Sequence, residues 1–132
     1  MTSFIQALPR PTEAELEILQ VLWEHGTCTV RDVHEVLHER SGTGYTTALK
    51  LLQVMHDKGL VARDESQRAH VYRAVVSKER TQKKFLSDIL QRVFDGSPSR
   101  LVLQALGDHK ASREELKEIR ALLNRLDKEA GP

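Results

Sequence analysis

Between Thr12 and Val76 the chain carries three helix-start signals, each followed by a stop, and then two short apolar runs around a polar turn. This order constrains the fold more than any property of the composition. In P-T-E-A-E-L-E-I-L-Q-V-L-W-E-H-G, Thr12 is placed to cap and Glu15 to reach back, the reciprocal box that opens a helix. Gly26 ends that helix. Leu16, Leu19, Val21, Leu22 and Trp23 supply its apolar stripe, and Glu13, Glu15 and Glu17 lie at the positive end of its dipole. After T-C-T, which could pair as a minimal strand, Thr29 with Asp32 opens a second helix whose inner stripe is Val30, Val33, Val36 and Leu37. The loop S-G-T-G then leads into a third helix that stops at Gly59.

The run L-V-A-R-D-E-S-Q-R-A-H-V-Y-R-A-V-V follows directly, with Leu60, Val61 and Ala62 before the polar turn and Val71, Tyr72, Val75 and Val76 after it. This predicts a β-hairpin with Asp64 to Gln67 at its tip. Three helices and then a hairpin give the order of a winged helix-turn-helix. The expected fold is therefore mainly α: three helices plus a two-stranded β-wing over residues 1–76, followed by a helical dimerisation region over 77–132. In a winged helix the third helix is the one offered to the major groove of DNA.

Ser77 is placed to cap a helix from Lys78 to about Phe94, and D-G-S-P breaks it, with Ser97 as the next cap and Pro98 as first helical residue. That next helix runs to about Leu106. After G-D-H-K-A, Ser112 and Glu115 repeat the capping-box signature and start the last helix. Apolar stripes run through Phe85, Leu86, Ile89, Leu90, Val93 and Phe94, then through Leu101, Val102, Leu103 and Leu106. A third, of roughly heptad character, follows Leu116, Ile119, Leu122, Leu123 and Leu126. A helical unit of about fifty residues has too little interior to hide all of these. A homodimer, in which the same stripes on a second chain cover each other around a two-fold axis, is the expected solution.

On the third helix, an advance of about 100° per residue puts Ala48, Leu51, Leu52 and Met55 in the core sector and Tyr45 at its edge. Thr46, Lys50, Gln53 and Asp57 fall opposite, with Thr47, Leu49 and Val54 on the flanks. Threonine, lysine and glutamine suit groove entry, because they can meet phosphates, a thymine methyl, and the edges of guanine and adenine. Taken alone, such a face is equally that of a solvated helix. The hairpin favours the nucleic-acid reading, since Arg63, Arg68, His70 and Arg73 lie in or beside it, where basic side chains reach phosphates or the minor groove. A charged hairpin tip is also a common solvated edge.

Composition narrows the alternatives. The formal net charge is only +1, so global charge says little about nucleic acid. The single cysteine, Cys28, excludes an internal disulfide and a paired-cysteine metal site, which fits a reducing compartment. The opening M-T-S-F-I-Q-A-L-P-R has neither a charged lead nor a continuous apolar run, so neither a signal peptide nor a membrane span is expected and the cytoplasm is the expected location. His34 and His38 stand four apart and could share a metal, but a solvated pair beside Glu35 and Glu39 is the simpler expectation, and no metal or other cofactor is assigned. His25 and Cys28 are two potential ligands without a third. Cys28 is read as a small buried hydrophobe rather than a redox sensor. The absence of a nucleophile elbow, a phosphate-cradling glycine loop and a nucleophile-base-orienter set points away from an enzyme.

Four segments together resemble the BlaI/MecI/CopY (penicillinase repressor) family of winged-helix transcriptional regulators: L-P-R-P-T-E-A-E-L-E-I-L-Q-V-L-W-E, T-V-R-D-V-H-E-V-L, Y-T-T-A-L-K-L-L-Q-V-M-H-D-K-G-L-V and R-A-H-V-Y-R-A-V-V. L-V-L-Q-A-L and E-E-L-K-E-I-R-A-L-L resemble the family's dimerisation region. The resemblance implies a homodimeric repressor on an inverted-repeat operator of double-stranded DNA. It places Thr46, Thr47 and Lys50 on the recognition face, and Arg68 and Tyr72 in the wing. Val54 stands where the family often has arginine. The resemblance also implies a sensor protease as partner, cutting an Asn-Phe bond; Gln104 and Ala105 occupy those positions here, which weighs against that cut. The cysteine-pair motif of copper-sensing members is absent. Two other functions share these features: a winged-helix module that docks another protein, and a ligand-responsive regulator with a pocket between wing and dimer helices.

Overall fold

The computed structural model describes residues 10–131. The opening stretch up to Pro9, read above for a leader or span, lies outside the described residues. The element order is α1 Glu13–His25, β1 Cys28–Thr29, α2 Val30–Ser41, α3 Tyr45–Lys58, β2 Val61–Asp64, β3 Val71–Ala74, α4 Lys78–Arg92, α5 Pro98–Asp108 and α6 Arg113–Ala130. This is the winged helix anticipated from the sequence, followed by three helices.

The helix starts follow from local chemistry. Thr12 with Glu15, Thr29 with Asp32 and Ser112 with Glu115 each form both bonds of a capping box. Ser77 accepts from the Arg80 amide at 3.1 Å, and Ser97 from the Arg100 amide at 3.3 Å with Pro98 in the first turn. Gly59 ends α3 at φ 84°, a left-handed conformation that a residue with a Cβ adopts only at a cost. Two helix ends differ from expectation. The helix expected to reach Phe94 stops at Arg92, and the one expected to stop at Leu106 continues through Gly107 to Asp108.

Within T-C-T, Cys28 and Thr29 form a strand, and it completes the wing sheet. The order is β1-β3-β2, all antiparallel, with Cys28 opposite Tyr72 and Thr29 opposite Val71. In the hairpin, Val61 faces Ala74, Arg63 faces Tyr72 and Asp64 faces Val71. Because cross-strand partners share a face, Val61, Arg63, Tyr72 and Ala74 lie on one side of the sheet.

The core joins Ile18, Leu19, Val21 and Leu22 of α1 to Val33 and Leu37 of α2, Ala48, Leu52 and Met55 of α3, and Leu60, Val61 and Tyr72 of the wing. Ile18 is fully buried and belongs to the stripe of α1, whereas Leu16 and Trp23 are only partly buried. Trp23 also spans the fold, its indole N–H donating to the Val76 carbonyl at 3.0 Å. Chain compactness divides the molecule between Lys84 and Phe85, within α4. The first turns of α4 thus belong to the first unit, where Thr81 is buried and its hydroxyl donates to the Ser77 carbonyl at 2.8 Å. From Phe85 onward, no described residue is buried. Among the described residues no helix is long and apolar enough to cross a membrane.

Candidate nucleic-acid interface

Helix α3 packs through Ala48, Leu52 and Met55, and this fixes which of its side chains point outward. Thr46, Thr47, Lys50 and Gln53 are all exposed, together with Val54. Leu49 is half-buried against the core, so the polar surface divides around it. Tyr45 anchors the start of the helix, its ring meeting that of His34 edge-on at 5.6 Å.

Between α3 and the wing lies a cleft of about 540 Å³. Tyr45, Leu49 and Gln53 form one wall; Arg63, Arg68, Ala69, His70 and Tyr72 form the other; Thr29, Val30 and Arg31, at the start of α2, close the end. Three arginines and a histidine line it, and no carboxylate does. The sequence anticipated Gln53, Arg63, Arg68 and His70 as interface residues, and the fold brings these four to one cavity. Arg31 was missed. Its nearness to the wing comes from the pairing of β1 with β3, and the possible T-C-T strand was the only hint in the sequence.

Arg73, grouped above with the other wing cations, alternates onto the opposite face of β3 and is exposed. Tyr72 requires a correction. It was expected to contact DNA, but its side chain is only 1% exposed and forms part of the core. The ring packs in the core, with Cys28 its neighbour across the sheet, although the residue also lines the cleft. Its hydroxyl lies toward the guanidinium of Arg63, its neighbour across the hairpin, and the Glu65 carboxylate accepts from Arg63 Nε at 2.7 Å. These two partners hold Arg63 more firmly protonated than an ordinary arginine, against a small opposing effect of burial. Reciprocally, Arg63 holds the Glu65 carboxyl below its usual range. At the turn, Asp64 accepts from the Ser66 amide at 2.9 Å and is likewise held low.

Charge is distributed unevenly along the chain. Residues 60–84 carry seven Lys or Arg against three Asp or Glu, whereas residues 1–59 carry five against eight. The near-neutral total therefore conceals a basic wing and a basic first half of α4.

Cys28 is buried and its thiol is pushed up by burial and by Asp32, so the thiolate is disfavoured. The rings of His34 and His38 lie 5.4 Å apart. A shallow hollow beside Cys28 includes His25, Asp32 and Glu35, yet among the described residues no group of three or more such side chains could hold a metal ion.

A compact three-helix core, a three-stranded wing sheet and an outward polar face on α3 define a winged-helix transcriptional regulator. A family model described as penicillinase repressor matches residues 11–125, and the chain belongs to that family. It is 24% identical to the penicillinase repressor of Bacillus licheniformis over 119 residues, covering 90% of this chain and 93% of that one. It is 34% identical to the transcriptional regulator BlaI of Mycobacterium tuberculosis over 97 residues, covering 73% and 70% respectively. Among solved structures, it is similar to the DNA-binding domain of the repressor BlaI, with a TM-score of 0.50 and 25% identity over 55% of this chain and 88% of that one.

Proposed function

We propose that the protein is a cytoplasmic transcriptional repressor without catalytic activity, acting as a homodimer on an inverted-repeat operator with one α3 of each protomer in a major groove. The observation that carries this reading is the shared cleft: Gln53 of the outward α3 face lines the same cavity as Arg63, Arg68 and His70 of the wing. Thr46, Thr47 and Lys50 continue that face and supply base and phosphate contacts. The wing cations add backbone affinity.

Dimerisation is supported by the exposure of the C-terminal stripes. Ile89, Val93, Leu103, Leu122, Leu123 and Leu126 are all exposed, Leu103 at 72%; Phe85, Leu101, Leu116 and Ile119 are only half-buried. Scattered exposed leucines are ordinary, but stripes along three successive helices call for a partner surface. A sensor protease, implied by the resemblance, enters only as a secondary partner. Gln104 and Ala105 lie within α5, and a helix must open locally before a protease cuts it.

A mobility-shift titration with the gene's own upstream region tests the reading. The wild type is expected to bind an inverted repeat there more tightly than random duplex at moderate salt, and Lys50→Ala to weaken that preference about tenfold. Equal affinity for both duplexes refutes it. Affinity that does not change with salt points instead to a protein partner, since phosphate contacts make binding fall as salt rises.

A further inference from the structure

The basic wing also carries two adjacent carboxylates at its tip, Asp64 and Glu65, and the fold uses them differently. Asp64 accepts from the Ser66 amide and closes the turn. Glu65 stands two residues beyond Arg63, and the alternation of an extended chain returns its side chain to the same side. There its carboxylate accepts from Arg63 Nε at 2.7 Å. Among the described residues Arg63 is the one arginine of the cleft that is committed to a carboxylate. Its side chain is 23% exposed against 53% for that of Glu65, so the acid is the more solvent-facing member of the pair.

We infer that Glu65 is a specificity-determining residue: it occupies Arg63 in the free protein and releases it only to a duplex that the outward face of α3 recognises. The inference rests on the DNA-binding reading and deepens it. An exposed ion pair of this kind adds little to the stability of the fold. Its consequence lies in binding, where a phosphate must displace a carboxylate of like charge to reach the guanidinium. Base contacts from α3, made only on an operator, supply the free energy for that exchange. A random duplex is held by phosphate contacts alone, so Arg63 stays with Glu65. The acid thereby suppresses binding elsewhere without adding a contact to the operator, which is discrimination by a repulsive element.

The test compares operator and random duplex across a salt series, using the full-length chain. Glu65→Gln is expected to raise affinity for random duplex about fivefold and to steepen its slope of log affinity against log salt by about one. Operator affinity is expected to rise at most about twofold with its slope unchanged, because Arg63 is already released in that complex. Asp64→Asn removes an equal charge from the same tip and can still accept from Ser66; the ratio of the two affinities is expected to stay at its wild-type value. In an Arg63→Ala background, Glu65→Gln is expected to leave that ratio unchanged, because the acid acts through this arginine. Both carboxylates are exposed, so neither substitution threatens the fold. Equal gains for both duplexes in Glu65→Gln, or the same loss of discrimination in Asp64→Asn, reduce Glu65 to a general repulsive charge and overturn the inference. So does a loss of discrimination that persists without Arg63. A wild type that prefers operator while Glu65→Gln matches it on both duplexes sinks this inference alone. A wild type with neither operator preference nor salt dependence takes the parent reading down with it.

Discussion

Glu15 illustrates at the scale of a single residue how much a local motif can conceal. Its capping role is legible in the spacing of Thr12 and Glu15, and both bonds form, at 2.9 and 3.2 Å. The sequence does not reveal Lys58, forty-three positions on, whose ammonium donates to both carboxylate oxygens at 2.7 and 3.0 Å. Glu15 is only 2% exposed, and this pair ties the start of α1 to the end of α3. Burial pushes its carboxyl up, but Lys58 and the Thr12 amide outweigh that effect and hold it below its ordinary value of 4.5. A group whose pKa is depressed on folding contributes stability above its unfolded pKa and loses that contribution as pH falls through the folded one. The winged-helix unit should therefore begin to lose this contribution as pH falls below about 4.5. Glu15→Gln is expected to destabilise the fold at neutral pH by about 1 to 2 kcal/mol, and to flatten the decline in thermal midpoint on acidification. Thermal unfolding of both forms between neutral and acidic pH checks this. An unchanged midpoint at neutral pH would mean that the pair contributes nothing. Tyr72 shows the same limit. Alternation fixes which strand residues share a face, but only the packing of β1 and α1 decides which face is buried.

At the scale of elements, the sequence was most informative where the determinants were local. Caps, glycine stops and turn residues announce α1, α2, α3 and the hairpin within a residue or two, because each depends on groups three or four positions apart. The interface was legible only in part. Helical geometry is enough to expose Thr46, Lys50 and Gln53, whereas the inclusion of Arg31 depends on a strand of two residues pairing across more than forty positions. Helix α3 carries one departure with a measurable consequence. Val54 is 37% exposed on its flank, an apolar side chain beside the polar outward face. Val54→Arg places a cation on an already solvated helical position and should leave the fold unaffected. It is expected to strengthen binding to any duplex several-fold and to steepen the salt slope, read from the same titrations. No change in slope would mean that this flank does not approach the backbone.

At the scale of the whole molecule, the two compact units differ in how their apolar surface is covered. The first buries fourteen hydrophobic residues in one core, while the described residues of the second bury none. The first unit extends through Lys84, past the wing, because Thr81 and the Trp23 to Val76 bond attach the start of α4 to it. A chain ending after Lys84 should therefore fold cooperatively, with the core intact. The part removed contains Leu103 and Val93, exposed at 72% and 66%, whose stripes the proposed dimer would cover. Losing it converts a bivalent ligand for two half-sites into a monovalent one, and linked binding of this kind contributes about 10²- to 10⁴-fold in apparent affinity. The truncated chain is expected to be a monomer by light scattering, to retain its affinity for an isolated half-site, and to lose most of its affinity for the full inverted repeat. A more conservative variant separates assembly from truncation. Leu103→Glu changes a residue that the protomer leaves in solvent, so helix content by circular dichroism should be unchanged while the dimer dissociates. A monomeric truncated chain that binds the inverted repeat as tightly as the full-length protein would show that the second unit contributes nothing to operator recognition.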